Sequence, residues 1–209
     1  VTGSTPHGQG HETAWSQLVA DELGVPFEDV EVLHGDTAIS PRGLDTYGSR
    51  SLVVGGAAVV NAAQKVVAKA RTVAAHLLEA SEEDLQFEGG TFSVRGTPGT
   101  GVTIQELALA TFAAHNFPDG VEPSLDADAT FDPVNFSFPH GTHICAMEVD
   151  TETGMVKIRK YASVDDVGVV VNPLIVEGQV HGGLAQGIAQ ALYEEAVYDA
   201  DGNLTTGTF

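Results

Sequence analysis

Apolar positions recur at helical spacing early in the chain. Over residues 12–23, small or apolar side chains return every three or four positions, which predicts an amphipathic helix. Gly24 follows as a helix stop, and Pro26 cannot continue the helix. Val30, Val32 and His34 then alternate with Glu31 and Leu33, so we expect a short strand there.

A longer apolar run covers residues 52–80. It is dense in alanine and valine and carries its polar residues along one stripe, which predicts a long and mostly buried helix. Gly55 and Gly56 lie in its early turns, where each glycine costs about 1 kcal/mol relative to alanine. We therefore expect another backbone or a ligand to approach the helix closely at this point.

A hairpin and a capped helix follow this run. Residues 85–87 and 91–94 are separated by Glu88-Gly89-Gly90, which favours a hairpin turn. Residues 103–106 read Thr-Ile-Gln-Glu, a capping-box pattern that predicts a short helix toward Ala114. Residues 116–139 hold four prolines and predict an extended crossover.

The last third of the chain predicts a second hairpin and one more helix. Residues 144–149 and 156–164 alternate around a Thr-Glu-Thr-Gly turn, and a helix is expected over residues 174–195 after Asn172-Pro173. Glycines destabilise an isolated helix, so their number here implies tight packing or contact with a cofactor. These glycines are Gly178, Gly182, Gly183 and Gly187.

Together the elements predict an α+β fold of two α/β subdomains, with antiparallel hairpins and long Gly/Ala-rich helices. We place the first subdomain at residues 1–115, the extended crossover at 116–139 and the second subdomain at 140–209. The second subdomain is expected to be truncated at its C-terminal end. The chain begins without methionine and stops just after a turn, so we interpret it as an excised piece of a longer protein.

Composition narrows the classes of partner. Twenty-nine acidic against nine basic residues give a net charge of −20, which repels nucleic acid and anionic membranes. We find neither a signal-peptide pattern nor an unbroken apolar run that predicts a membrane span. A charge of this size is best tolerated in salt, so we expect a salt-loving source. The lone Cys145 excludes an internal disulfide and indicates a reducing, cytoplasmic compartment.

The heptapeptide Asp45-Thr-Tyr-Gly-Ser-Arg-Ser51 has the composition of an anion-binding loop. It stands directly before the long apolar run, and its Gly48 is able to adopt backbone angles that other residues avoid. The first amides of a helix lack internal partners and point at anions. A second glycine-rich segment, residues 7–11, precedes the first helix, so we expect a large polyanionic ligand held by backbone. The alternative is an ordinary helix N-cap at Ser49 or Ser51.

Other chemistries are poorly supported. His7 and His11 are four residues apart, and His140 and His143 are three apart, yet Trp15 stands where a zincin motif requires its second histidine. No protein-ligated metal site is therefore predicted. The sequence also lacks a P-loop and a complete dinucleotide fingerprint. Cys145 is interpreted as a buried structural thiol.

Several segments in series resemble the large subunit of the molybdenum hydroxylases, the xanthine dehydrogenase and aldehyde oxidase family. Within that family the similarity is greatest to the aerobic carbon monoxide dehydrogenases. It extends over nearly the whole chain in the right order. The segments are residues 6–13, 45–51, 165–168 with 172–173, and 177–183 continuing through 186–187 to 194–195.

The resemblance implies a molybdenum–pterin cofactor, in its cytosine dinucleotide form. Three groups of residues fall on family positions that contact it. They are Gln9, Gly10 and His11 at the pterin and molybdenum end, Tyr47, Gly48, Ser49, Arg50 and Ser51 at the pterin and phosphates, and Gln179 at the pterin. Amide side chains suit the pterin edge, and backbone amides with an arginine suit a pyrophosphate.

The resemblance also implies a larger enzyme. Its full large subunit would oxidise a small substrate (carbon monoxide, an aldehyde or an N-heterocycle) and pass electrons to iron–sulfur and FAD subunits, in a homodimer of heterotrimers. The catalytic glutamate is expected beyond Phe209, and the cysteine-bearing loop of carbon monoxide oxidisers before Val1. No catalytic residue is therefore expected within these residues, and the piece alone is expected to be inactive. The alternative is a structural or subunit-interaction fragment that binds no cofactor by itself.

Overall fold

The computed structural model describes residues 1–40, 42–97 and 99–208. Contacts divide the chain into two units, Val1–Val171 and Asn172–Phe209. Helices and antiparallel strands both occur, which confirms the predicted α+β class. The predicted subdomain division at residues 1–115, 116–139 and 140–209 stays a prediction.

Helix α1, His11–Leu23, confirms the first predicted helix. Gly10 precedes it with φ 80°, and Gly24 ends it with φ 64° while donating its N–H to the carbonyl of Ala20. A Cβ on Gly24 would lie 2.0 Å from the backbone nitrogen of Gly90. The helix end therefore packs backbone against backbone on a hairpin turn, where a side chain would not fit.

The predicted strand over residues 30–34 is wrong. These residues form no strand, and the Thr2 N–H donates to the Leu33 carbonyl at 2.9 Å. An alternating pattern indicates that one face of a segment is apolar. It does not provide the second strand with which a β-strand must form hydrogen bonds.

The long apolar run is confirmed as a helix, with a wide first turn. Leu52–Gly56 is π-helical and leads into α2, Ala57–Leu77. A Cβ on Gly56 would lie 3.0 Å from Trp15 Cζ3, and one on Gly55 would lie 2.7 Å from Ser4 Oγ. The close approach predicted here exists, and side chains of the first unit make it.

A small sheet and a third helix pack on the C-terminal half of α2. Strands β1 (Leu85–Glu88), β2 (Thr91–Val94) and β3 (Gly101–Thr103) form an antiparallel sheet in that order, which confirms the first hairpin. Helix α3, Ile104–Ala113, begins with the predicted capping box. The buried side chains between these elements are Ala70, Val73, Ala74, Leu85, Phe92 and Leu107.

Residues 114–139 contain neither helix nor strand, as the prolines predict. Two lysines of α2 hold this connector to the helix. Lys65 Nζ donates to the Asp128 carbonyl at 2.7 Å, and Lys69 Nζ donates to the Ser124 carbonyl at 3.0 Å.

The second hairpin is confirmed as an antiparallel ribbon. Strand β4 (His140–Val149) pairs with β5 (Val156–Asp166), with a register shift between Ala146 and Met147. Most of its side chains are exposed, and Cys145 is half-buried instead of buried as expected. A two-stranded ribbon has no second layer of its own to cover either face, which explains the difference.

The second unit is built on helix α4, Pro173–Leu192. Asn172 caps it by accepting the Ile175 N–H at 3.1 Å, and Pro173 occupies its first turn. Within this unit, no heavy atom lies within 4 Å of a Cβ placed on any of the four glycines of α4. Their predicted tight packing is therefore not found inside the unit.

One helix in the described part of the chain, Leu52–Leu77, is long and apolar enough to cross a membrane. Core helices pass the same test of length and composition. Its last turns do pack in the core described above, so this feature is weak evidence for a membrane span.

Candidate ligand-binding site

The two glycine-rich turns predicted to hold a ligand meet in the first unit. Gln9 Nε2 donates to Thr46 Oγ1 at 2.8 Å, and His11 Nε2 lies 3.4 Å from the same oxygen. Ser51 Oγ lies 2.6 Å from it on the other side. Thr46 thus joins three of the predicted residues, and it is absent from the predicted set.

Asp45 fastens the same two turns together on their exposed side. Its carboxylate accepts the Thr46 N–H at 2.7 Å and the Thr5 hydroxyl at 2.9 Å, and it lies 2.8 Å from His7 Nε2. These hydrogen bonds, the one from the Thr46 backbone first, lower the pKa of Asp45. Asp45 therefore stays ionised and links the turn before α1 to the turn before α2.

Each turn leads into the start of a helix. Helical bonding begins with Ala14 N–H to the Gly10 carbonyl at 3.0 Å in α1, and with Val54 N–H to the Arg50 carbonyl at 2.9 Å before α2. The amides that precede these bonds lie outside the helical ladder, which is the arrangement that favours anions. Gly48 and Ser49 enter the second helix with φ 59° and 56°, so the turn is left-handed over two residues.

The N-cap alternative for the two serines is wrong. Ser51 already has helical backbone angles, and no side-chain hydrogen bond caps this helix start. Ser51 instead uses its hydroxyl on Thr46. The polar residues of this loop are therefore organised around each other and not around the end of the helix.

Arg50 is held over the ring of Tyr47. The guanidinium carbon lies 5.0 Å from the ring centroid, and Nη1 donates to the Tyr47 hydroxyl at 2.9 Å. Tyr47 is 54% exposed, so the pair lies at the surface of the loop. One N–H of the guanidinium makes this bond, and the fork geometry leaves others for an anion such as a phosphate.

His11 is buried at the base of the site. It is 4% exposed, and its ring centroid lies 5.0 Å from that of Trp15. Burial lowers the pKa of His11, while the nearby Ser4 backbone opposes the shift without reaching hydrogen-bond geometry. Its imidazole is therefore neutral at neutral pH. Among the described residues, His11 Nδ1 and Trp15 Nε1 have no hydrogen-bond partner.

A cavity of about 840 Å³ adjoins this loop within the first unit. Apolar side chains of α1 and of the helix that starts at Leu52 form part of its wall, and much of the rest comes from residues 1–4, 30–32, 39–40, 42–45 and 127–131. Arg50 and Ser51 also line it, and so does Trp15 with its unpartnered indole nitrogen. Polar groups of the loop thus border a largely apolar space.

Gln179 lies in the second unit, on the exposed side of α4. The other predicted residues all lie in the first unit. The joint action of Gln179 with Gln9 and the loop at residues 47–51 stays a prediction.

No group of three or more histidine, cysteine or acidic side chains with metal-binding geometry occurs within residues 1–40, 42–97 and 99–208. Each described histidine that lies within 4.0 Å of an acidic side chain contacts a single carboxylate. His34 Nε2 lies 2.7 Å from Glu12 Oε1, and His143 Nε2 lies 3.2 Å from Asp165 Oδ1.

A family profile for the molybdopterin cofactor-binding domain matches residues 1–209, and the chain belongs to this family. It is 45% identical over 206 residues to the carbon monoxide dehydrogenase large chain of Hydrogenophaga pseudoflava, covering 99% of this chain and 25% of the relative. It is 42% identical over 210 residues to the nicotine 6-hydroxylase large subunit of Paenarthrobacter nicotinovorans, covering 100% of this chain and 26% of the relative.

A comparison with a solved structure supports the same family. The reconstituted carbon monoxide dehydrogenase from Oligotropha carboxidovorans superposes with a TM-score of 0.91 at 43% identity, covering 98% of this chain and 25% of that chain. The recognised family and the molybdenum–pterin class of cofactor are thereby confirmed. The chain spans about a quarter of the length of the curated relatives it matches.

Proposed function

We propose that this chain is the part of a molybdenum hydroxylase large subunit that holds molybdopterin cytosine dinucleotide. The observation that carries the proposal is the convergence of two helix starts on Thr46, with Gln9, His11 and Ser51 within hydrogen-bond reach of its hydroxyl. Membership of the cofactor-binding family supports it.

The groups in this loop fit such a cofactor. A pterin has an edge of amide-like donors and acceptors, which suits the side-chain amide of Gln9. A pyrophosphate suits Arg50, Ser51 and the leading amides of the helix that starts at Leu52. A Cβ placed on Gly48 would meet nothing within 4 Å, so the backbone of the loop is open to a ligand.

Each residue then has a defined task. Gln9, Gly10 and His11 bind the pterin and molybdenum end. Gly48 and Ser49 form the left-handed turn that faces the cofactor. The neighbouring side chains of Tyr47, Arg50 and Ser51 bind the pterin and its phosphates. Gln179 hydrogen-bonds the pterin from α4.

The chemistry that the cofactor supplies when bound is oxidation of the substrate by two electrons, with oxygen from water. The described residues bind and orient the cofactor. The proton at the reacting centre is handled by a glutamate that we place beyond Phe209.

The whole enzyme is proposed to oxidise carbon monoxide, an aldehyde or an N-heterocycle. Iron–sulfur and FAD subunits would carry the electrons away, in a homodimer of heterotrimers in the cytoplasm. The net charge of −20 supports a salt-rich source, for which a melting temperature that rises with added KCl is expected.

A structural or subunit-interaction role without cofactor is the second candidate. The exposed apolar side chains of the β4–β5 ribbon favour it, among them Ile144 at 65% and Val164 at 77% exposed. Patches of this kind mark protein contacts. In this case the residues of this chain would bind no cofactor by themselves.

The discriminating experiment uses the full-length parent protein from cells grown with molybdate. We expect about one molybdenum per large subunit, and a lower molybdenum content in Arg50→Ala and Gln179→Ala with unchanged melting. Loss of one charge-assisted hydrogen bond to a phosphate corresponds to roughly tenfold weaker retention or more.

Matched controls are Arg95→Ala and Gln105→Ala, which remove the same side chains from exposed positions away from the loop. Full molybdenum content in all four variants would remove Arg50 and Gln179 from the site. A wild-type protein without molybdenum and pterin would overturn the proposed function itself.

A further inference from the structure

We propose that Thr46 is a positioning residue, whose hydroxyl fixes the side-chain amide of Gln9 in the orientation that the cofactor meets. This inference rests on the proposed function. Thr46 lies in the heptapeptide that the sequence singled out but not among the residues predicted to contact the cofactor, and it is half-buried.

The orientation of the Gln9 amide follows from its two partners. Its Oε1 accepts the backbone N–H of His7, a group that is able only to donate. Nε2 must therefore face Thr46, where it donates to Oγ1 at 2.8 Å. One end of the amide is fixed by backbone and the other by a single hydroxyl.

The Thr46 hydroxyl has one proton and two lone pairs, and its three neighbours can engage all of them in hydrogen bonds. Gln9 Nε2 occupies one lone pair. Ser51 Oγ at 2.6 Å and His11 Nε2 at 3.4 Å share the proton and the remaining lone pair. A neutral imidazole is able to donate or accept, so His11 is compatible with either arrangement.

Removal of this hydroxyl affects both turns at once. Without it Gln9 Nε2 loses its partner and the amide is able to rotate away from its fixed orientation. Ser51 loses the bond that holds its side chain toward the first turn. The Asp45 bonds remain, since they use the Thr46 backbone N–H and not its side chain.

The test compares Thr46→Val with Thr46→Ser in the full-length protein, and reads the rate at which molybdenum and pterin dissociate from it. Valine has the shape of threonine without the hydroxyl, and serine keeps the hydroxyl. We expect dissociation roughly tenfold faster in Thr46→Val, the usual consequence of an unpaired polar group, and near wild-type dissociation in Thr46→Ser.

A double-mutant cycle shows whether Thr46 acts through Gln9. Since Gln9→Leu already removes the oriented amide, adding Thr46→Val to it is expected to speed dissociation far less than Thr46→Val does alone. If Thr46→Val acted through a general loss of folding, its effect on the dissociation rate would instead add to that of Gln9→Leu. Thr111→Val is the matched control, because Thr111 is fully buried and its hydroxyl donates within α3, to the Ala108 carbonyl.

Each outcome has a definite meaning. Wild-type dissociation rates in Thr46→Val, equal acceleration in Thr46→Val and Thr46→Ser, or additive effects with Gln9→Leu would overturn the role of Thr46 while leaving the proposed function in place. A wild-type protein that never contains the cofactor would overturn the proposed function, and this inference with it. Hydrogen exchange of α2 shows whether Thr46→Val is folded.

Discussion

The helix from Leu52 to Leu77 has two ends with opposite construction. Its C-terminal half buries one face, with Ala70, Val73 and Ala74 packed against Phe92 and Leu107. Its N-terminal end begins in a π-helical turn behind a left-handed loop, beside polar side chains that bond one another. The buried end stabilises the fold, and the polar end presents groups to a ligand.

This difference separates two kinds of substitution. A change at the buried end is expected to lower stability without altering the groups that bind cofactor. A change at the polar end is expected to alter cofactor retention with less effect on stability. The following three predictions test that separation, and all use the full-length subunit.

Phe92→Ala is expected to have the largest effect. Phe92 is fully buried, stacks on Phe87 at a centroid distance of 4.4 Å, and lies under the Arg71 guanidinium at 5.3 Å. Truncating such a residue costs about 3–5 kcal/mol. Hydrogen exchange of the β1–β2 peptides should report this loss, while molybdenum per folded subunit stays at the wild-type value.

The control for this substitution is Phe112→Ala, since Phe112 is 83% exposed. It is expected to leave the exchange of β1 and β2 unchanged. Loss of molybdenum from folded Phe92→Ala protein would show that the two ends of the helix are not separable.

Gly56→Val tests the boundary between the two ends. A Cβ there would already lie 3.0 Å from Trp15 Cζ3 and from Leu52 Cδ1, so valine must push α1 away. Overpacking of this kind costs about 1–3 kcal/mol. Because α1 carries His11, we expect faster loss of molybdenum together with faster exchange of α1 amides.

The control is Ala108→Val, which places the same side chain on the exposed face of α3. Apart from the small difference in helix propensity, it is expected to change neither the loss of molybdenum nor the exchange of α1 amides. Exchange that increases in α1 without any loss of molybdenum would mean that the position of α1 does not matter to the cofactor.

The smallest effect is expected from pH. The pKa of His11 is lowered by burial, so the unfolded chain binds its proton more readily than the folded chain does. The contribution of neutral His11 to stability is therefore complete above the ordinary histidine pKa of about 6.5 and decreases as pH falls through the lowered folded pKa. Exchange of α1 amides, corrected for intrinsic rate, should show this decrease.

His11→Phe keeps a ring against Trp15 and removes the titrating group, so it should flatten that part of the pH dependence. His115→Gln removes an exposed histidine and should leave the dependence as in the wild type. An unchanged pH dependence in His11→Phe would show that another group causes it.

Local signals in the sequence predicted much of the fold. The capping box at Thr103 and Glu106, the Gly89-Gly90 turn and the Asn172-Pro173 start of α4 each act within a few residues, and the structure confirms all three. The strand at residues 30–34 failed because pairing depends on a partner that no local pattern specifies.

The candidate site shows the same limit. The glycine-rich turns and Arg50 carry recognisable signals for anion binding, so the sequence indicated them. Thr46 carries no such signal, since a threonine next to Asp45 is typical of many turns. Its position becomes clear only when residues 9 and 51 are brought to it by the fold.

The contact of Gly24 with Gly90 limits how this chain can be recombined with its relatives. A Cβ on Gly24 would lie 2.0 Å from the Gly90 nitrogen, and one on Gly90 would lie 2.5 Å from the Gly24 carbonyl oxygen. A chimera with a crossover between the two positions inherits them from different parents. It will assemble only if both parents have glycine, whereas a chimera that exchanges residues 24 and 90 together keeps a matched pair.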